Sequence, residues 1–270
     1  MNVVNDFQAL VSRNIQSIGE SKDFLDLSNL WIEKCIPLGY MYNFSWLGRP
    51  IIQMPQDSYA IQEMIWSVKP DLVIETGIAH GGSLVLSASM LAMLDYCEAV
   101  QKGEMLDPKA SRRKVLGIDI DIRAHNRAAI EAHPLSHKIE MIEGSSVAPD
   151  IFAKVKEAAK AHETIMVFLD SNHTHAHVLE ELELYAPLTS KGSYCAVWDT
   201  LVEDMPADLY PDRPWGPGDN PKTAVWEYMR RLAEEGRNGA DGAPLRFDYD
   251  RTLEHKIAIT VSRDGFLRRV

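Results

Sequence analysis

The chain has 270 residues, 46% of them apolar, and carries 28 Lys and Arg against 39 Asp and Glu, a formal net charge of −11. That length and composition fit one large α/β domain with appendages or two small domains, and the acidic balance argues against a nucleic-acid partner because like charge repels phosphate. The three cysteines, Cys35, Cys97 and Cys195, are scattered with no Cys-x-x-Cys pair, which argues against a thiolate metal site and fits a reducing cytoplasm.

The N-terminal "MNVVNDFQALVSRNIQ" lacks the basic and uninterrupted apolar regions of a signal peptide, and no stretch reads as long enough to span a bilayer. Residues 1–50 read as a helical and then irregular, aromatic extension ending in "GYMYNFSWLGRP"; residues 51–270 read as the main domain. "DSYAIQEMIWSV" predicts a helix capped by Asp57, with Ile61, Ile65 and Val68 on one face. Strand "DLVIET" follows, then helix "SLVLSASMLAMLDYCEAV" and strand "KVLGIDI". The alternation continues with helix "IRAHNRAAIEAH", strand "KIEMIEG", helix "APDIFAKVKEAAKA" and strand "TIMVFLD". Helix "AHVLEELELYAPL" and strand "GSYCAVWD" complete it. Strands and helices alternating at this spacing predict a doubly wound, mainly parallel α/β sheet. The Pro-, Gly- and Asp-rich stretch around 204–220 predicts a functional loop or lid. It ends where Asn220 caps a helix that has Pro221 at its first position. "LRFDYDRTL", "HKIAITV" and "FLRRV" predict closing strands, antiparallel because short turns join them.

Ligands of open α/β sheets sit beyond the carboxyl ends of the strands. Those ends carry Glu75 with Gly77, Gly81, Gly82 and Ser83, then Asp119 and Asp121, then Ser145 and Ser146, then Asp170 and His173, then Asp199. The glycines free the backbone to turn and to approach a ligand closely, or simply make a tight turn. Neither the dinucleotide fingerprint Gly-x-Gly-x-x-Gly nor a P-loop is present. Asp119 is placed to accept both hydroxyls of a ribose; its alternative is a surface acid or helix cap. His173, His175 and His177 alternate, but a helix starting near His175 would make them diverge, which argues against zinc.

The segments "WLGRPIIQMPQD", "KPDLVIETGIAHGGS", "GIDIDIR", "FLDSNHTHAHVLEELELYAPL", "WGPGDNPKTAVWEYM" and "DGFLRR" resemble the cephalosporin hydroxylase-like family of class I S-adenosylmethionine-dependent methyltransferases, which includes the macrolide-sugar and rhamnosyl O-methyltransferases. The resemblance spans roughly residues 45–270 and implies a seven-stranded, Rossmann-like sheet. It implies an S-adenosylmethionine site formed by Glu75, Thr76, Gly77, Gly81 and Ser83, with Asp119 on the ribose, Ser145 and Ser146 near the adenine, and Asp170 alongside. It further implies His173 as the base that deprotonates a sugar hydroxyl, a small-molecule acceptor, and a homo-oligomer built through the N-terminal helices. Relatives hold Mg²⁺ through an aspartate after the fourth strand and a Glu-Asp pair after the fifth. Here those positions are Asp170 and Trp198-Asp199, so water, Thr200 or another acid such as Glu203 is left to complete the set. A cofactor-binding scaffold without activity, and a hydroxylase or methoxylation component, are the competing readings.

Overall fold

The computed structural model describes residues 3–270. Helices α1 (Val3–Glu20) and α2 (Lys22–Cys35) lead through short 3₁₀ turns into a hairpin of β1 (Phe44–Trp46) and β2 (Arg49–Ile51). The hairpin turn places Leu47 and Gly48 both at positive φ, the geometry that matches the twist of two paired strands. The residue-50 boundary falls inside β2, and Trp46 Nε1 donates to Ser89 Oγ at 3.0 Å, so this segment packs on the main domain.

Helix α3 (Pro55–Val68) precedes the alternating series β3 (Leu72–Thr76), α4 (Gly82–Lys102), β4 (Lys114–Asp119), α5 (Ala124–Glu131) and β5 (Ile139–Glu143). Next come α6 (Pro149–Ala159), β6 (Ile165–Leu169), α7 (His175–Tyr185), β7 (Tyr194–Val197) and α8 (Pro221–Glu235). The chain closes with β8 (Phe247–Tyr249), α9 (Arg251–Ile257) and β9 (Phe266–Arg269). These form the expected seven-stranded sheet in the order β5-β4-β3-β6-β7-β9-β8, with β5 to β7 parallel and β9 antiparallel to both neighbours. Alternate residues supply two core layers. Val73, Val115, Met166 and Ala196 face α3 and α4, while Ile74, Leu116, Val167 and Cys195 face α6, α7 and α8. The order in which successive strands are added reverses between β3 and β6, and the crevice at their carboxyl ends is where such sheets hold ligands.

Three expectations need correction. Asp57 does not cap α3: Met54 takes that position with Pro55 following, and the fully buried Asp57 carboxylate accepts the Val261 N–H at 3.0 Å. "HKIAITV" is no strand. Asp250 caps a helix through Leu253 N–H at 2.9 Å, and that helix runs to Ile257 before Ala258 turns the chain at φ 57. Finally, α4 is long and apolar enough by length and composition to cross a membrane. Half of its apolar window is buried within the fold, with Leu84, Val85, Leu91 and Leu94 in the core beneath the sheet.

The Asn220 cap is as expected. Its side chain accepts from Lys222 and Thr223 N–H, and Thr223 Oγ1 accepts from Asn220 N–H at 3.2 Å.

Gly77 has φ 90, and a Cβ there would lie 1.9 Å from the Asp170 carbonyl oxygen. At Gly103, the α4 C-cap with φ 68, a Cβ would meet nothing within 4 Å. Gly103→Ala therefore carries only the left-handed backbone penalty, about 1 kcal/mol, whereas Gly77→Ala adds a backbone collision and should cost about 3 kcal/mol or more in urea unfolding. Equal losses would mean the two strand tips are not in contact.

Candidate active site

The tips of β3, β4, β5, β6 and β7 surround one crevice. The β3–α4 loop is drawn inward because Asp119 Oδ2 accepts the Ile78 and Ala79 N–H groups at 2.8 and 3.2 Å, while its Oδ1 accepts Asp121 N–H at 3.1 Å. From behind, Asn126 Nδ2 donates to the Ala79 carbonyl and Arg49 donates to the His80 carbonyl, both near 3 Å. Asp119 thus shapes the loop as well as lining the crevice.

A cavity of about 280 Å³ lies over this loop. Of the residues expected around a nucleotide-like ligand, Gly77, Asp119, Ser145, Ser146 and Asp170 line it. Thr76, Gly81, Ser83 and Glu75 do not. Thr76 is fully buried, and its Oγ1 and carbonyl oxygen both face the Asp170 N–H, so it braces the β6 tip. A Cβ at Gly81 would strike Ile130, so that glycine serves packing between α4 and α5. Ser83 Oγ donates to Glu75 Oε1 and acts through that carboxylate.

Glu75 is only 2% exposed, and its second oxygen has no partner. Burial pushes its pKa up to about 7, and the Ser83 hydrogen bond offsets only part of that. A buried carboxylate with an open oxygen favours a positively charged neighbour, which fits the cationic methionyl end of S-adenosylmethionine. Burial, then the carboxylates of Asp199, Glu75, Glu181 and Asp57, also hold Asp170 well above the usual range.

Beyond Asp170 the crevice deepens into a chamber of about 220 Å³ and widens into an outer one of about 460 Å³. His173 and Asp199 line both. His173 Nε2 lies 3.3 Å from Asp199 Oδ2, and one ligand atom each from Asp170, His173 and Asp199 falls within 4.8 Å of the others. Asp199 reaches this position from a left-handed backbone, φ 55, a conformation that non-glycine residues adopt at a cost and that recurs at functional sites.

The expected set Asp170, Asp199 and Thr200 is corrected here. Thr200 is fully buried and its hydroxyl donates to the Val261 carbonyl, away from the cluster. Trp198, at the position of the relatives' acidic residue, packs edge-on against Phe168 and Phe266 at 5.9 Å and is 3% exposed. The imidazole of His173 joins the two carboxylates instead. This donor set fits a divalent cation. With one carboxylate fewer than its hard-ligand preference favours, Mg²⁺ would retain more water, and Mn²⁺ tolerates the nitrogen readily.

Sequence reasoning missed four contributors. His177 lines the cofactor-sized cavity, its Nε2 3.2 Å from Ser146 Oγ and 3.1 Å from Ser171 Oγ. Ser171 in turn donates to Glu181, which is fully buried. The spacing of 177 and 181, four apart within α7, was the available signal for a shared face. Trp215 in the 204–220 loop had no such signal. The expected divergence of the three histidines is seen: His173 joins Asp170 and Asp199, His177 lines the cofactor-sized cavity, and His175, at the start of α7, has its Nδ1 2.8 Å from Thr223 Oγ1.

Strand order, the switch-point crevice and a carboxylate-rich tip region define the class I methyltransferase fold. A structure of CmcI with Mg and SAM has that fold, matching at a TM-score of 0.52 with 18% identity over 85% of this chain and 77% of its own. A family model described as rhamnosyl O-methyltransferase/CmcI matches residues 38–270. A rhamnosyl O-methyltransferase of Mycobacterium leprae is 28% identical over 227 residues, 83% of this chain and 82% of the relative. Its counterpart in Mycobacterium bovis is 30% identical over 218 residues, 79% of this chain and 73% of the relative. The chain belongs to the rhamnosyl O-methyltransferase/CmcI family, and its class is that of S-adenosylmethionine-dependent O-methyltransferases.

The raised pKa of Glu75 has a direct consequence for stability. The folded state favours the neutral carboxyl, so that contribution is full below about pH 4.5 and is lost as pH rises through about 7. Glu75→Gln should therefore unfold at higher urea than wild type at pH 8 without cofactor, by on the order of 2 kcal/mol, and at nearly the same urea at pH 5. A variant no more stable at pH 8 would mean that Glu75 is paired or solvated.

Proposed function

We propose that this enzyme transfers a methyl group from S-adenosylmethionine to a hydroxyl of a sugar or glycosylated small molecule. The observation that carries this reading is the junction at Asp170 and Ser171, which line both the cofactor-sized cavity and the chamber holding His173 and Asp199. Donor and acceptor can therefore meet. The family relatives that are rhamnosyl O-methyltransferases support a sugar acceptor.

When bound, S-adenosylmethionine supplies an electrophilic methyl on a sulfonium, and a divalent cation supplies positive charge against a developing alkoxide. The chain's own residues do the rest. Glu75, through its open oxygen, favours the cationic end of the donor, while Asp119 retains acceptor capacity toward a ribose diol. Gly77 admits the donor beside the β3 tip, and Ser145 and Ser146 border the far end of its cavity. His173 removes the acceptor's proton, and Asp199 Oδ2 at 3.3 Å stabilises the imidazolium that results. Asp170, Asp199 and His173 are the groups facing any cation held there. The aromatic side chains of Tyr42, Tyr210 and Trp215 in the outer chamber offer apolar faces on which a pyranose ring can lie. The inactive-scaffold reading is disfavoured by the His173–Asp199 contact, which a pure binding protein does not need.

The test is methyl transfer from labelled S-adenosylmethionine to a panel of rhamnosides and related deoxysugar glycosides, with Mg²⁺ or Mn²⁺ added. His173→Ala should lower turnover by about 10²–10⁴-fold while leaving S-adenosylhomocysteine affinity, read by calorimetry, near wild type. Undiminished turnover would remove His173 from the mechanism.

The same reading extends to the assembly and its setting. Phe7, Leu10, Phe24, Leu27 and Leu30 on α1 and α2 are exposed apolar side chains, which supports a homo-oligomer formed through these helices. A monomer mass in light scattering at micromolar concentration would overturn that assignment. The three free thiols suit a reducing cytoplasm.

A further inference from the structure

The 204–220 loop is fixed at its base and loose at its tip. Glu203 accepts Gly218 N–H at 2.7 Å and also Asn220 Nδ2, and Asp204 pairs with Lys222 at 2.6 Å. Asp219 Oδ1 accepts His175 N–H at 2.6 Å, which ties the loop to the start of α7, two residues beyond His173. Between these anchors the tip's backbone makes only short-range bonds, Leu209 N–H to Pro206 and Arg213 N–H to Tyr210; Pro211 to Pro214 are exposed, and Leu209, Tyr210 and Trp215 supply the inward contacts. Segments of this kind open at little free-energy cost, so a few inward side-chain contacts determine where the tip rests.

Trp215 supplies the one of these contacts that reaches the donor side. It is the one residue of the loop that lines both the cofactor-sized cavity and the outer chamber. Its ring meets His173 edge-on, with centroids 4.9 Å apart and planes at 76°, and the Arg213 guanidinium lies 5.2 Å from its centroid. Tyr210, from the same tip, lines the outer chamber five residues earlier. One indole therefore touches the donor side, the imidazole at the junction and the segment that forms the acceptor wall.

We propose that Trp215 is a positioning residue through which an occupied donor cavity sets both the acceptor wall and the orientation of His173. The proposal rests on the assignment of the smaller cavity to S-adenosylmethionine. An occupant there adds packing to the face of Trp215 that borders the cavity, which holds the tip inward. Tyr210 is then carried into place, and the imidazole keeps its edge contact. Acceptor binding is thereby favoured after donor binding, and water is kept from the transfer line.

Hydrogen–deuterium exchange on the full-length protein, with and without S-adenosylhomocysteine, tests this without knowledge of the acceptor. In wild type the ligand should slow exchange across residues 77–83 and also, by about tenfold or more, across residues 207–216. In Trp215→Ala the slowing over 77–83 should persist, while that over 207–216 disappears. Trp215→Phe should restore part of it. A residue needed only for folding would change exchange with and without ligand alike, leaving the difference between them intact. Wild-type protection at 77–83 without protection at 207–216 overturns the proposal, as does full loop protection in Trp215→Ala. Protection at neither segment in wild type shows instead that the donor lies elsewhere, so the functional assignment fails and this inference falls with it.

Discussion

The closest approach of two strand tips governs this site. Gly77 at the end of β3 runs so near the carbonyl of Asp170 at the end of β6 that no side chain fits between them. The Asp170 N–H returns to Thr76, and the Gly77 N–H donates to the Ile118 carbonyl of β4 at 2.7 Å. Three tips are thereby stitched into one rim, and everything chemical hangs from it. Asp170 is pointed into the crevice, Asp119 is brought under the loop amides, and the cavity between them is left open. The glycine that sequence reasoning assigned to ligand approach is needed first for strand-to-strand approach, and the space for a ligand is a consequence.

That rim gathers acidic groups that no basic side chain pairs. Burial pushes the pKa of Asp57 and of Glu75 up to about 7, and burial, then its carboxylate neighbours, raises that of Asp170. Lysines and arginines are available elsewhere: Arg113 and Lys138, for example, pair with Asp95 behind β4. None lines the chambers around Asp170 except Arg213 at the outer rim. A fold selected for stability alone would pair or remove such acids. Buried acids without basic partners, Glu75 and Asp170 here, favour cationic neighbours, which accords with the sulfonium donor of this class of enzyme.

Much of this was legible in the sequence because it depends on local pattern. Strand–helix alternation gave the doubly wound sheet, and the polar residues ending each apolar strand marked the crevice before any coordinates. The Asn220-Pro221 pair marked the start of α8 to the residue. What failed depends on contacts between distant segments. Asp57 looks like a cap within ten residues, yet its partner is Val261, 204 positions away. "HKIAITV" has strand composition, but the Asp250 cap just upstream commits the chain to a helix, and the edge it would have joined is taken by β9. Thr200 is next to Asp199 in sequence, but the left-handed turn at Asp199 sends the two side chains to different surroundings. Side-chain direction after a turn is set by backbone dihedrals that composition does not encode.

Trp198 shows how a departure from a family pattern can be absorbed. An acidic residue at this position would have to leave the layer between Phe168 and Phe266, strands β6 and β9, and face the chamber. The indole does the reverse: it links three neighbouring strands, β6, β7 and β9, through two edge-on aromatic contacts while one side borders the chamber. The indole thus braces the strand tips and offers no hard ligand to the chamber. His173 then stands close to Asp199 and Asp170, so under the proposed function a single imidazole sits where base chemistry and cation binding would both call on it. In a site so arranged, the two uses compete for one ring. Which of them dominates depends on how firmly that ring is held, and its holding contacts are Asp199 on one side and Trp215 on the other.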